Sequence, residues 1–90
     1  MTPELAELIA DLQLLDEMTP IERARRCPEL IDEAKAALAL ERGAAMTEAV
    51  DSGDWTGAAM GRELGVSRQT VNDMITRYRK HVRTTAPREG

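Results

Sequence analysis

The chain has few of the residues from which enzymes, secreted domains and metal proteins build their sites. Its 90 residues include no phenylalanine and only one tryptophan, tyrosine, histidine and cysteine. The lone Cys27 has no partner for a disulfide and no companion ligands for a metal, which is typical of a reducing cytoplasm. We expect it to be a small buried apolar residue. No nucleophile–base pair, metal cluster or phosphate-binding glycine loop is present, so we predict no enzyme activity, no cofactor and no metal.

Long apolar runs and alternating apolar–polar stretches are also missing. No run approaches the length that spans a bilayer, and the N-terminal MTPELAELIA carries acids instead of a basic leader. No stretch alternates as a strand does, whereas alanine and leucine are abundant. We therefore expect a soluble, cytoplasmic, all-α protein with no membrane partner. A chain of this length has a thin core, which favours a partner subunit.

Charge is distributed unevenly along the chain. Residues 1–54 hold 13 acidic and 5 basic residues, a net charge of −8, whereas residues 55–90 hold 3 acidic and 7 basic residues, a net charge of +4. An acidic half joined to a basic half indicates that the two halves have different partners. The basic half is the one suited to a polyanion.

The first half has the periodicity of helices. Thr2 and Pro3 are typical of a helix start, and one apolar stripe follows at helical spacing: Leu5, Leu8, Ile9, Leu12 and Leu15. The sequence from Thr19 to Glu22 is a capping box that begins a second helix. Pro28 bends or ends this helix, because proline lacks an amide donor. A long helix from about Glu29 to Asp51 follows, which makes about five helices in the chain.

The second half contains a short helix between two strong boundary signals. Thr56 is a good N-cap for a helix over residues 57–64, and Gly65 stops it. Trp55 and Met60 have the spacing of a hydrophobic staple across the helix start. We expect Trp55 to be a core residue for that reason.

A longer helix starts almost at once. Ser67 caps it, and it runs from Arg68 to about Arg83. One face is apolar and consists of Val71, Met74, Ile75 and Tyr78. The tail at 84–90 has no periodicity, and we predict that it is disordered.

The two helices and their turn resemble the helix-turn-helix superfamily of DNA-binding proteins. The stretch LGVSRQTV at residues 64–71 is closest to the form in small bacterial and phage regulators and in the promoter-reading region four of sigma factors. Gly61 stands where the motif needs a small residue, because its helices cross closely there, and Gly65 is the turn glycine. The core positions of the motif are occupied by Leu64, Val66, Val71 and Met74. The resemblance implies a tri-helical core over residues 44–83.

A helix-turn-helix places its second helix in the major groove, and this implies which residues contact DNA. The side chains suited to base edges are Arg68, Gln69, Asn72 and Thr76. Those suited to the phosphate backbone are Arg62, Ser67, Thr70, Arg77, Arg79, Lys80 and Arg83. Asp73 on the same helix either accepts from cytosine or repels unsuitable sequences. We predict a transcriptional regulator that reads double-stranded DNA.

The role of the acidic extension, residues 1–43, has several interpretations. The apolar stripe at Leu5, Leu8, Ile9, Leu12 and Leu15 forms a homodimer or partner surface in our preferred hypothesis. Alternatively, the first helices fold back and complete a monomeric core. A different class of function is a protein-interaction module that docks on RNA polymerase, a sigma factor or another regulator. A phage or plasmid accessory factor that marks one DNA locus is a further alternative.

Overall fold

A computed structural model of the protein describes residues 1–85, and these residues form helices and short turns without any strand. The four α-helices are α1 (Pro3–Leu14), α2 (Pro20–Asp51), α3 (Gly57–Leu64) and α4 (Arg68–Thr85), with one turn of 3₁₀ helix at Leu15–Glu17. The all-α prediction is confirmed. The chain divides into two compact units, Met1–Glu41 and a second unit that begins at Arg42.

The count of five helices is wrong, because α2 continues through Pro28. Proline removes the hydrogen bond to the carbonyl of Ala24, but both residues are exposed, so water can solvate that carbonyl. Arg26 Nη1 donates to Glu29 Oε2 at 2.6 Å and to Glu33 Oε1 at 3.1 Å, and these ion pairs extend across the proline. The hydrogen bond to Glu29 makes the largest contribution to raising the pKa of Arg26, and the hydrogen bond to Glu33 raises it further. Pro28 thus removes one backbone hydrogen bond from α2 but does not end the helix.

The predicted starts of α1 and α2 are confirmed. Thr2 Oγ1 accepts from the Leu5 amide at 3.3 Å. In the capping box, Thr19 Oγ1 accepts from the Glu22 amide at 3.4 Å, and Glu22 Oε2 accepts from the Thr19 amide at 3.1 Å. Amides that have no partner inside the helix are satisfied in this way.

The core of the first unit joins α1 to α2 through Leu8, Leu30 and Ala37. The predicted apolar stripe of α1 is therefore divided. Leu8 is buried and Leu5 and Leu15 pack against this core, whereas Ile9 and Leu12 are exposed. Three of the five stripe residues thus pack within the first unit. Cys27 is exposed, which corrects the expectation that it is buried.

The core of the second unit takes residues from three helices: Met46 of α2, Met60 of α3, and Val71 and Ile75 of α4. Gly43 has a packing role that the periodicity did not indicate. A Cβ atom at Gly43 would lie 3.0 Å from Tyr78 Cβ and 3.1 Å from the Met74 carbonyl oxygen. The absence of a side chain there lets α2 and α4 approach closely.

Candidate nucleic-acid interface

The turn between α3 and α4 depends on two glycines. Gly65 has φ 70° and ψ 30°, a left-handed conformation that favours glycine, and its amide donates to the Gly61 carbonyl. A Cβ atom at Gly61 would lie 2.8 Å from the Val66 carbonyl oxygen. The need for a small residue at 61 therefore comes from the backbone of the turn. Both glycines occupy the structural positions that the sequence predicts.

The ends of the two helices also match the predictions, with one extension. Thr56 Oγ1 accepts from the Ala59 amide at 3.1 Å, and Ser67 Oγ accepts from the Thr70 amide at 3.0 Å. α4 continues to Thr85, two residues past the expected end, and the Thr84 hydroxyl donates to the Lys80 carbonyl. The remainder of the predicted disordered tail, residues 86–90, lies outside the described residues.

α4 presents a polar face opposite its buried one. Val71 and Ile75 are buried, while the residues roughly opposite them are all exposed: Gln69, Asp73, Thr76 and Lys80. Residues 68–85 hold five basic residues and one acidic residue, Asp73. The helix therefore offers hydrogen-bonding groups and positive charge to a ligand on its exposed side.

The four predicted base-reading residues are exposed and occupy two strips of this surface. Gln69 and Thr76 lie on the side of α4 roughly opposite the buried Val71 and Ile75. Arg68 and Asn72 lie beside the first turn of α3, because a Cβ atom at Gly57 would be 3.3 Å from Asn72 Oδ1 and 3.9 Å from Arg68 Cγ. Both strips belong to the exposed surface of α4.

The residues predicted to contact the phosphate backbone of DNA differ in the ion pairs and hydrogen bonds that they form within the chain. Four exposed cations form no ion pair with any residue of the range 1–85: Arg62, Arg77, Lys80 and Arg83. Arg79 Nη2 instead pairs with Asp51 Oδ1 at 2.6 Å. The Ser67 and Thr70 hydroxyls hydrogen-bond to each other at 2.9 Å. Asp51 is a residue of this surface that sequence reasoning missed, since 28 positions separate it from Arg79.

Comparisons of the chain with family models, curated proteins and solved structures find no match. Within residues 1–85, no helix is both long and apolar enough to cross a bilayer. In the same range, no three histidine, cysteine, aspartate or glutamate side chains are grouped so that they would hold a metal ion.

Proposed function

We propose that the protein is a sequence-specific, double-stranded DNA-binding transcriptional regulator that inserts α4 into the major groove. One observation carries the proposal. The short helix α3 is joined to the capped helix α4 by a left-handed glycine turn, and the backbone of this turn packs closely against Gly61. The second of these helices, α4, exposes a polar face. An α-helix fits the width of the major groove, where the four base pairs are distinguishable.

Each exposed side chain of that face has a chemical role in the proposal. Arg68 bonds guanine through two donors, and Gln69 and Asn72 do the same with adenine through their amide groups. Thr76 contacts a thymine methyl group or a phosphate. Such a bidentate pair contributes about 1–3 kcal/mol of discrimination between bases.

Affinity comes mainly from positive charge on the same surface. The cations free for phosphates are Arg62, Arg77, Lys80 and Arg83, and each contact releases condensed counterions from the duplex. Residues 1–41 hold ten acidic and four basic residues, a net charge of −6. That unit is repelled by phosphate, which favours approach of DNA to the basic face.

Selection from a random duplex library tests the proposal. The purified full chain, Gln69→Ala and a control, Gln13→Ala, are each selected at near-physiological salt. Gln13 is an exposed glutamine on α1. We expect one enriched motif for the full chain, the same motif for the control, and relaxed preference at one or two positions for Gln69→Ala.

Salt titration distinguishes specific from merely electrostatic binding. Arg77→Gln should weaken all duplexes and reduce the slope of log affinity against log salt by about 1, while the exposed Arg23→Gln should leave the slope unchanged. No enriched motif, combined with weak binding that disappears as salt rises, would leave only nonspecific attraction and refute the regulator.

We also propose that the exposed part of the α1 stripe forms a homodimer. Ile9 and Leu12 are 39% and 45% exposed, so they are the stripe residues free for a partner. Sedimentation should show that the dimer dissociates in Leu12→Glu and persists in Gln13→Glu, because only the first buries a charge at the interface. A monomeric parent chain would refute the dimer and favour docking of this surface on RNA polymerase or a sigma factor.

A further inference from the structure

The first unit has a second apolar stripe, on α2, that its own core leaves uncovered. The large side chains of this stripe, Ile21, Ile31 and Leu38, are between 54% and 61% exposed, more than the exposed residues of the α1 stripe. The stripe residues follow one another at alternating spacings of three and four, and all are exposed: Ile21, Ala24, Pro28, Ile31, Lys35 and Leu38. This spacing keeps a stripe in line along a helix and is typical of helices that pair side by side.

Part of this α2 stripe lies on the same side of the first unit as the exposed part of the α1 stripe. On the other flank of the core contact between α1 and α2 is an open groove that is lined, beside core residues, by Glu4, Glu7, Asp11, Glu33, Ala36 and Leu40. A helix has 3.6 residues per turn, so Ile9 and Leu12 lie on the flank of α1 opposite this groove. By the same spacing, Ile31 and Leu38 lie on the opposite flank of α2. One partner on that side can therefore cover residues of both helices.

The α2 stripe is complementary to itself when two copies pair in antiparallel orientation. In one register every stripe residue faces a stripe residue of the second copy: Ile21 faces Leu38, Ala24 faces Lys35, and Pro28 faces Ile31. Lys35 thus packs against a small side chain, and a lysine within such a seam fixes the register at some cost in stability. A parallel pair would instead place Lys35 against Lys35 of the second copy, and the two like charges would repel.

The charged residues beside the α2 stripe match in the same antiparallel register. Arg25 of one copy comes opposite Asp32 of the other, and Glu22 comes opposite Lys35, with an offset of about 3 Å along the helix that long side chains span. Arg25, Asp32 and Lys35 are exposed and form no ion pair with any residue in the range 1–85. Each crossed pair occurs twice in a two-fold dimer. Opposite charges therefore meet although the first unit as a whole is acidic.

We propose that the α2 stripe pairs with the α2 stripe of a second copy, antiparallel about a two-fold axis, with Arg25 of each copy against Asp32 of the other. This pairing rests on the proposed homodimer, and it adds α2 to an interface that otherwise consists of Ile9 and Leu12 of α1. It does not depend on the proposed DNA binding, because α2 carries none of the base-reading residues.

Sedimentation of the full chain tests whether α2 belongs to the interface. Ile31→Glu should sediment as a monomer at concentrations where the parent chain is a dimer, because a charge would be buried in the seam. Leu14→Glu is the matched control, since Leu14 is 48% exposed and lies on the flank of α1 that carries Glu7. It adds the same charge to the first unit and should leave the dimer intact. Circular dichroism verifies that both variants fold.

Charge reversal tests the antiparallel register. Arg25→Glu and Asp32→Arg each place like charges opposite one another at two symmetric positions, so each should raise the Kd of the dimer about tenfold. The double variant restores opposite charges between copies and should return the Kd to within about threefold of the parent value. Residues 25 and 32 are about 10 Å apart along one helix, so a restoring contact must come from the other copy.

The control for net charge makes the same reversals away from the stripe. Arg23→Glu and Asp16→Arg change exposed residues of the first unit, and neither should alter the Kd. A monomeric parent chain would refute the homodimer and the α2 pairing together. A dimer that Leu12→Glu dissociates but Ile31→Glu does not would keep the α1 contact and overturn the α2 pairing. A double variant as weak as the single reversals would overturn the antiparallel register.

Discussion

The two units of this protein treat an unusual helix residue in opposite ways. In the first, Pro28 lies within α2, yet the helix continues, because Ala24, whose carbonyl loses its hydrogen bond, is an exposed residue and the Arg26 ion pairs extend across the proline. In the second, Gly61 lies within α3, and its missing side chain is essential, because the Val66 carbonyl occupies the space. A helix thus tolerates a proline such as Pro28 at an exposed position. It requires a glycine such as Gly61 where neighbouring backbone fills the space of a side chain.

The same contrast extends to how each unit is assembled. In the first unit, α1 packs on α2 through large apolar side chains such as Leu8 and Leu30, and part of the apolar stripe of α1 stays exposed to solvent. The second joins α3 to α4 through a turn whose backbone is in contact with Gly61. The glycine-dependent unit is also the one that carries the basic helix α4.

Gly61→Ala should produce the largest change in stability. It is the strongest test of the claim that the second unit depends on a glycine in its turn. Its Cβ atom meets backbone that cannot move without opening the turn, so we expect a loss of about 3 kcal/mol in the free energy of unfolding. Gly57→Ala is the matched control, because its Cβ atom meets mainly the movable Asn72 side chain at 3.3 Å. Urea unfolding followed by circular dichroism measures both, and equal losses would contradict the role assigned to the turn.

Pro28→Ala should have a smaller effect of opposite sign. It restores the hydrogen bond to Ala24, and alanine is favoured over proline in a helix interior by about 3 kcal/mol. The more flexible unfolded chain offsets about 1 kcal/mol of this, so we expect stabilisation of about 2 kcal/mol. Circular dichroism should show unchanged helix content in the native state. A clear rise in helix content would mean that Pro28 does interrupt α2.

Asp51→Asn should have the smallest effect on stability, and it tests the one ion pair found within the described part of the second unit. The Arg79–Asp51 pair is exposed and contributes less than about 1 kcal/mol. If α4 binds DNA as proposed, loss of the pair frees Arg79 for phosphate and raises affinity about threefold. Asp54→Asn removes the same charge nearby but breaks no arginine pair in the described range. Equal gains in duplex binding from the two variants would show that only net charge matters.

Local signals in the sequence were sufficient for the helix starts, the glycine turn and the exposed polar face of α4. The capping residues Thr2, Thr19, Thr56 and Ser67 all accept the amide bonds expected of them. Such signals work because a cap or a left-handed turn is decided by residues within one helical turn of each other. The continuity of α2 was missed because a proline's effect depends on what surrounds it.

The sequence alone therefore established an all-helical chain, its acidic and basic halves, and the residues that α4 exposes, since these follow from composition and from spacing within single helices. Only the tertiary structure decided which stripe residues of α1 are buried, that Asp51 holds Arg79, and that Trp55 stays 40% exposed instead of joining the core as its spacing predicts. Each of these depends on segments that are distant along the chain and meet only when helices pack. Periodicity identifies the face of a helix that is apolar, but the packing partner determines how much of that face is covered.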